Sequence, residues 1–397
     1  MKILLVNDYG TPDGGAEIAT LSLRDGLRRR GHEVVLLATD ARGNVPSQAD
    51  IECAGGAAGY RGRILQTANF SARRAMRRTL AEFEPDVVHV GLFLTQLSPL
   101  ILPLLRAVPS VYYAHWLRAI CPTGSKQLPD DSTCSSSAGV ACYRSGCVPL
   151  RDWLPLMGQM HMTRRWRDTF RRVVANSEAT RTALEAGGFT NVSVIPCGVP
   201  TTAGLAAPGG APLGGEPVAC FSGRLTRQKG VHVLLAAWRR VRDALPHAQL
   251  LVAGDGPERT ALEATAPPGV TFLGAVPHAE LHRATESAWV QVVPSSGFEG
   301  LGLAAVEAMM HGRAVVASRI GGLGEVVQPD VTGVLVEPND ATGLATALIA
   351  LLGDRGRCER LGARGREVAE RSFSQDTYVD RLVALYEGLV AEQRAVR

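Results

Sequence analysis

The chain has 397 residues, more than one hydrophobic core usually organises, so its length predicts two domains. Its 46% apolar and 20% charged residues are typical of a globular protein rather than a disordered or membrane one. The net charge of +4 is too small to indicate a nucleic-acid partner. The longest apolar stretch, 97–105, contains proline and is shorter than a bilayer span, so no membrane helix is expected.

The first half of the chain alternates short β-branched runs with amphipathic helical stretches, which predicts a doubly wound parallel sheet. Residues 1–7 lack the length and cleavage site of a signal peptide, so they read as a first strand of a cytoplasmic protein. Residues 16–30 follow as a helix that stops at Gly31. The predicted strands are 2–7, 33–38, 86–90, 110–114, 172–176 and 193–195.

Positive charge is concentrated in the first half of the chain, where arginines are frequent in 61–78 and 164–172. Two interpretations stay open: solvated helix faces, or attraction to an anionic membrane or an acidic acceptor. Of the 42 basic residues only three, Lys2, Lys126 and Lys229, are lysines. A lysine in this arginine-rich chain is therefore a candidate for a specific role.

Four of the eight cysteines, Cys121, Cys134, Cys142 and Cys147, lie in one insertion, 121–148. In a cytoplasmic protein such a cluster is more often metal-binding or reduced than disulfide-bonded. Their spacing does not match the paired CxxC of a zinc ribbon. Structural zinc, disulfides and free thiols therefore all stay open.

Residues 201–216 are rich in glycine and proline, with little that could be buried, and predict a linker. The alternation then restarts, with predicted strands at 218–222, 249–253, 270–273, 290–294, 314–317 and 334–336. The final helices, 341–392, include no strand, and the last is expected to return to the first domain. The predicted organisation is a first domain over 1–200, the linker, a second domain over 217–375 and a crossing helix over 376–397.

Two doubly wound domains in series are expected to face each other across a cleft, because ligands bind at the carboxyl edges of such sheets. The dinucleotide fingerprint G-x-G-x-x-G is absent after the first strand, which disfavours a nicotinamide or flavin enzyme. The cleft is therefore expected to hold another kind of ligand.

The segment 221–230, FSGRLTRQKG, has the residues that a diphosphate needs. A strand ends in a turn at Gly223, Arg224 follows, and Lys229 stands at the start of a helix. Together they would provide a bidentate fork, a point charge and free N–H groups. The next two strands end in a tight turn at Gly254 and in 273–277, where Leu273 and Val276 would form an apolar wall for a nucleobase.

The segment 294–312, PSSGFEGLGLAAVEAMMHG, predicts a strand end, a small-residue loop and a helix over 301–311. Glu299 lies in the loop and Glu307 on the second helical turn. The two carboxylates can accept hydrogen bonds from different sugar hydroxyls, while the loop N–H groups face phosphates.

This segment resembles the glutamate, seven residues, glutamate motif of glycosyltransferase family 4, whose members are retaining enzymes of the GT-B fold. The resemblance extends over nearly the whole chain through GGAE at 14–17, RRGHEV at 29–34, GRLTRQKG, GDGP and IGGLGEVV at 320–327. It implies two Rossmann-like domains with a carboxyl-terminal helix that crosses back to the first.

The resemblance also implies roles for individual residues. Glu307 would bind the ribose hydroxyls, Glu299 the donor sugar, and Arg224 with Lys229 the diphosphate. Gly15 would contact a phosphate from the opposite domain, and His115 would face the sugar. The amides of Phe298, Gly300 and Leu301 would add contacts. Trp116 stands where many relatives have an acidic residue, so their acceptor contacts in that loop are not carried over.

The expected activity is transfer of a hexose or N-acetylhexosamine from a UDP- or GDP-sugar, UDP before GDP, to an acceptor hydroxyl on a glycan, a lipid-linked glycan or a small molecule. The resemblance implies retention through front-face substitution without a catalytic metal, so zinc in the cysteine insertion is the one metal considered. The insertion is expected to help select the acceptor. Two alternatives stay open, a sugar-nucleotide 2-epimerase and a non-catalytic sugar-nucleotide-binding homologue.

Overall fold

The computed structural model describes residues 1–12, 14–41, 46–56, 60–199 and 213–396. The chain divides into two compact units. The first unit comprises Met1–Gly198 together with Gln375–Arg397, and the second comprises Val199–Ser374.

The first unit is built on a sheet in which every pairing is parallel. Its strands are β1 (Lys2–Tyr9), β2 (Glu33–Thr39), β3 (Ile51–Cys53), β4 (Val87–Val90), β5 (Ser110–Ala114), β6 (Arg172–Ala175) and β7 (Val192–Val194). Among the described residues they lie in the order β3-β2-β1-β4-β5-β6-β7. The central strands β4 and β5 are buried along their whole length, as expected for a sheet that is covered on both faces.

Helices cover this sheet and connect its strands. They are α1 (Gly15–Arg29), α2 (Tyr60–Thr67), α3 (Phe70–Phe83), α4 (Val140–Arg144), α5 (Leu150–Trp166) and α6 (Glu178–Ala186). Helix α1 buries Ala19, Leu23 and Leu27, which share one face at helical spacing. Helix α3 starts where the Asn69 side chain accepts a hydrogen bond from the Ala72 amide, which satisfies an otherwise unpaired N–H group.

The second unit repeats the parallel α/β pattern. Its strands are β8 (Val218–Ser222), β9 (Gln249–Ala253), β10 (Val270–Gly274), β11 (Val290–Val293), β12 (Ala314–Ser318) and β13 (Gly333–Val336). Within the described part of the chain their order is β10-β9-β8-β11-β12-β13. Its helices are α7 (Val231–Ala244), α8 (Arg259–Thr265), α9 (His278–Ser287), α10 (Leu303–Met310), α11 (Leu323–Val326), α12 (Ala341–Leu352) and α13 (Arg355–Phe373). Trp238, on α7, is the largest fully buried side chain among the described residues.

The last helix, α14 (Gln375–Val396), belongs to the first unit. Arg30 at the end of α1 pairs with Asp376 at 3.1 Å and Asp380 at 2.7 Å. The Tyr386 hydroxyl lies 2.6 Å from Nδ1 of His89, which is buried on β4. These contacts fix the returning helix on the sheet to which β1 and β4 belong.

The strands lie within two residues of their predicted bounds, except that β3 was not predicted. Most of the predicted linker, 201–212, lies outside the described residues. Of its described residues, Leu213 is 4% exposed and packs in the core of the second unit. Within the described ranges no helix combines the length and apolar character needed to cross a bilayer.

Candidate active site

The predicted phosphate-binding turn follows β8. Gly223 and Gly254 end the neighbouring strands β8 and β9, and a Cβ on Gly254 would collide with the Gly223 carbonyl. Glycine therefore lets the two turns meet. Arg224 is exposed, and its guanidinium makes no hydrogen bond or ion pair with any described residue. The turn thus presents an unpaired, bidentate cation to solvent.

Lys229 and Glu299 are held together in the second unit. The Lys229 Nζ atom lies 2.6 Å from Oε1 of Glu299, which is 9% exposed. The Ser295 hydroxyl donates to the same carboxylate oxygen at 2.6 Å. Sequence reasoning placed Lys229 and Glu299 at one ligand but predicted neither their ion pair nor Ser295. A polar residue four positions before Glu299 was the available signal.

Gly230 brings the lysine turn onto the end of β11. Its φ of +69° lies in the left-handed region, and a Cβ would collide with the Pro294 carbonyl. The Gln228 carbonyl accepts hydrogen bonds from the amides of Ser296 and Gly297 at 2.8 and 3.1 Å. These contacts explain how residues 70 positions apart in the chain form an ion pair.

Glu307 lies on α10 and differs from Glu299 because its carboxyl has no partner among the described residues. The helix begins at Leu303, two residues later than predicted, because Gly302 adopts a left-handed φ of +89° at its N-cap. Burial raises the pKa of Glu307 from its ordinary 4.5 to about 7, with no hydrogen bond or charge among the described residues to oppose it. The carboxyl is therefore poised to gain from a hydrogen-bond donor.

The remaining predicted donor residues flank these groups in the same unit. Leu273 is 37% exposed on β10 and Val276 is half-buried beyond it. The strand end reaches the Gly254 turn, because the Gly254 amide donates to the Gly274 carbonyl at 2.8 Å. Phe298 and Gly300 are half-buried on either side of Glu299, and Leu301 is buried before α10.

His115 and Gly15 belong to the first unit. His115 follows β5, with Nδ1 3.7 Å from the Cys197 thiol. Burial lowers the pKa of His115 from 6.5 to about 4, so the imidazole is neutral at physiological pH. Gly15 is exposed at the first position of α1, where the backbone N–H groups have no carbonyl partner within the helix.

Asp8 is a buried polar residue near the end of β1 that the sequence analysis did not single out. It is fully buried, and its carboxylate accepts from the Thr95 hydroxyl and from the amides of Thr95, Gln96 and Leu97 at 2.6–2.9 Å. Burial raises the pKa of Asp8 while these hydrogen bonds oppose the change. Asp8 therefore ties the loop after β4 to β1.

The four clustered cysteines, Cys121, Cys134, Cys142 and Cys147, line one small cavity in the first unit. All eight cysteines of the chain are described and none forms a disulfide. Among the described residues no three His, Cys, Asp or Glu side chains are already arranged to hold a metal ion.

Comparisons with known proteins agree with this architecture. Sucrose-phosphate synthase from Thermosynechococcus elongatus superposes with a TM-score of 0.75 at 26% identity, over 99% of this chain and all of that one. The Anabaena HepE protein in complex with UDP-glucose gives 0.68 at 19% identity, over 98% and 100%. Two parallel-sheet units of this kind define the chain as a protein of the GT-B fold.

Family models and curated relatives narrow the class. Residues 13–203 match Glycosyltransferase Family 4 and residues 216–354 match Glycosyl transferases group 1. Glycogen synthase of Mycobacterium tuberculosis is 31% identical over 70% of this chain and 68% of its own. Alpha-maltose-1-phosphate synthase of the same species is 30% identical over 77% and 79%. The chain belongs to glycosyltransferase family 4.

Proposed function

We propose that this glycosyltransferase moves a hexose or N-acetylhexosamine from a UDP- or GDP-sugar, with UDP preferred, to an acceptor hydroxyl with retention of configuration. One observation carries the proposal. The second unit holds a lysine paired with Glu299, together with an Arg224 guanidinium and a Glu307 carboxyl that have no partner in the part of the chain that the structure describes. Cations suit a diphosphate, and carboxylates suit the hydroxyls of a sugar and a ribose.

In the proposed reaction the bond between the anomeric carbon and the diphosphate oxygen breaks, and the diphosphate keeps the electron pair. The acceptor oxygen bonds to the same face of that carbon, and its proton passes to the leaving phosphate. Arg224 and Lys229 stabilise the charge that develops on the diphosphate. Because two side-chain cations take this role, turnover is expected to persist in EDTA.

The comparisons support a nucleotide-sugar donor. HepE is described in complex with UDP and with UDP-glucose, and three relatives are named as synthases of glycogen, maltose 1-phosphate and sucrose phosphate. By family resemblance, Gly15 and His115 of the first unit would contact the donor phosphate and sugar.

The test is a donor screen by thermal shift with UDP- and GDP-sugars, followed by measurement of nucleotide diphosphate release and of product anomeric configuration by NMR. The proposal predicts stabilisation by one donor and acceptor-dependent release with retention. Inversion, or loss of turnover in EDTA with recovery on adding manganese, would contradict it. Incubation of donor alone gives the decisive control, because a 2-epimerase would form the epimer without an acceptor.

We also propose that the first unit associates with an anionic membrane surface. Six of the eight exposed large hydrophobic residues among those described lie between 64 and 154, and Phe70 and Leu154 are the most exposed at 70%. The Thr67 hydroxyl donates to the Pro155 carbonyl at 2.8 Å, which places the end of α2 beside α5. Exposed arginines on α3 and Arg151 on α5 add positive charge to this apolar surface.

Flotation with phosphatidylglycerol vesicles tests this second proposal, and phosphatidylcholine vesicles are the control. Wild-type protein should float with the anionic vesicles and dissociate at high salt. The double variant Leu150→Glu with Leu154→Glu should weaken binding about tenfold or more, because two charges replace apolar side chains that would be buried in the bilayer. Val331→Glu, at an exposed apolar position of the second unit, should bind normally. Equal binding by all three proteins would reject the assigned surface.

A further inference from the structure

The cysteine insertion is a segment of 28 residues that has almost no apolar core of its own. Among its residues, 121–148, the buried apolar side chains are few: Cys121, Pro122, Ala138 and Val148. A segment with so little buried apolar surface usually needs a covalent or metal crosslink to hold one conformation. Its conformation is nonetheless well defined by hydrogen bonds, and these bring the cysteines together.

A hairpin positions the first two cysteines. Cys134 donates its amide to the Lys126 carbonyl at 2.8 Å, and Gln127 pairs with Thr133 in an antiparallel bridge. The Lys126 Nζ atom closes the hairpin by donating to the Ser136 carbonyl at 2.8 Å. The chain therefore turns back so that Cys134 lies beside the turn that starts at Cys121.

A helical turn positions the other two cysteines. Cys142 lies on α4, and its carbonyl accepts a hydrogen bond from the Val148 amide at 3.0 Å, which folds Cys147 back towards it. The Cys147 thiol lies 4.0 Å from the Gln127 carbonyl of the hairpin. The hairpin and the helical turn each position two of the four thiols at one cavity.

The shared cavity has a volume of about 20 Å³ and all four cysteines line it. This volume is enough for one ion or water molecule. The Cys121 sulfur lies 3.2 Å from the Thr123 hydroxyl oxygen, within hydrogen-bond distance. A hydroxyl that donates to a sulfur atom stabilises negative charge on it, as a metal-bound thiolate requires.

The buried cation Arg118 lies beside the cavity. Arg118 is 5% exposed, it lies close enough to Cys121 for their charges to interact, and its Nε atom has no hydrogen-bond partner among the described residues. A zinc ion with four thiolates has a net charge of −2, so an adjacent guanidinium would offset part of it.

We propose that Cys121, Cys134, Cys142 and Cys147 bind one structural Zn²⁺ ion as a tetrathiolate. The four thiols are free and are not yet a closed ligand set. Binding therefore requires the four side chains to rotate until Zn–S distances reach about 2.3 Å. Each thiol releases its proton to solvent as its bond to zinc forms.

The site would fix a loop beside a predicted catalytic position. Gly124, between the first two cysteines, has a φ of +78° and lies against the Trp116 ring. Trp116 directly follows His115 in the chain. Zinc would therefore hold the insertion against the segment that carries His115, a structural role that does not depend on the proposed transfer reaction.

The test measures zinc in full-length protein that is expressed in zinc-supplemented medium and purified without a metal-binding tag or chelators. Wild-type protein should contain about one zinc per chain, and mercurial modification of four thiols should release it. The cobalt-loaded protein should show a thiolate-to-cobalt charge-transfer band. Cys134→Ser should retain less than about 0.2 zinc per chain and lose thermal stability.

Cys358→Ser is the matched control, because Cys358 is buried in the second unit and donates a hydrogen bond to the Leu351 carbonyl that serine can replace. It should keep one zinc per chain. Less than about 0.2 zinc in wild-type protein would overturn the proposal, whether the four thiols react freely or mass spectrometry finds disulfides. Wild-type release experiments decide the matter even if Cys134→Ser does not fold.

Discussion

Glu307→Gln is expected to stabilise the protein at alkaline pH while it removes donor binding. The Glu307 carboxyl has no partner among the described residues, and burial alone raises its pKa to about 7. The folded state therefore holds a proton that the unfolded state releases between pH 4.5 and 7. Stability falls as pH rises through this window, because ionising the buried group disfavours the folded state.

The magnitude follows from the two pKa values. An increase from 4.5 to about 7 corresponds to a loss of about 3 kcal/mol above pH 8. Glutamine is neutral at every pH and keeps nearly the same volume. The variant should therefore equal wild type near pH 4.5 and exceed its free energy of unfolding by about 2–3 kcal/mol at pH 8.

Thermal and urea unfolding at several pH values between 4.5 and 8.5 measure this difference without ligand. Glu299→Gln is the matched comparison, since Glu299 is paired with Lys229 and Ser295 and its neutralisation should destabilise the protein at pH 8. If Glu307→Gln shows no gain that grows with pH, the argument that its carboxyl is unpartnered is refuted. Retained stabilisation by UDP in this variant would separately refute its assignment to the ribose.

Two further predictions concern the reaction. Lys229→Ala and Arg224→Ala should each lower kcat about 100-fold or more in a diphosphate-release assay, because each removes a charged transition-state contact. The control Arg239→Ala, on α7, should keep the wild-type rate. Near wild-type rates in both site variants would reject their proposed roles. His115 has a pKa of about 4 and stays neutral, so His115→Asn should lower kcat without moving the pH profile between 5.5 and 8. If the profile of kcat against pH changes near pH 7 in wild type and in Glu307→Gln but not in His115→Asn, the neutral state assigned to His115 is wrong.

The strands were the most predictable part of the fold. Residues 110–114, 218–222 and 249–253 match β5, β8 and β9, because buried parallel strands are short β-branched runs bounded by polar or glycine turns. Strand β3, Ile51–Cys53, was missed since three residues at a sheet edge give too short a pattern. Helix α10 was started too early because the sequence does not reveal the left-handed conformation of Gly302.

The contacts of the candidate site residues could not be predicted from the sequence. Chemistry and motif spacing indicate Arg224, Lys229, Glu299 and Glu307 as candidates, while their partners depend on tertiary packing. The pairing of Lys229 with Glu299 needs Gly230 to approach the end of β11, a contact across the chain that no local pattern encodes. The raised pKa of Glu307 likewise depends on burial by other segments.

The contrast between the two glutamates explains how one unit can keep both ready for a ligand. Glu299 is nearly buried, so without donor it needs the charge of Lys229 and the hydroxyl of Ser295. A diphosphate would compete for the same lysine. Hydroxyls of the donor sugar could then satisfy the carboxylate that Lys229 had paired with, so that phosphate and sugar binding assist each other. Among the described residues Glu307 has no such partner to exchange, and its unfavourable ionisation would be relieved if, as proposed, ribose hydroxyls donated to it.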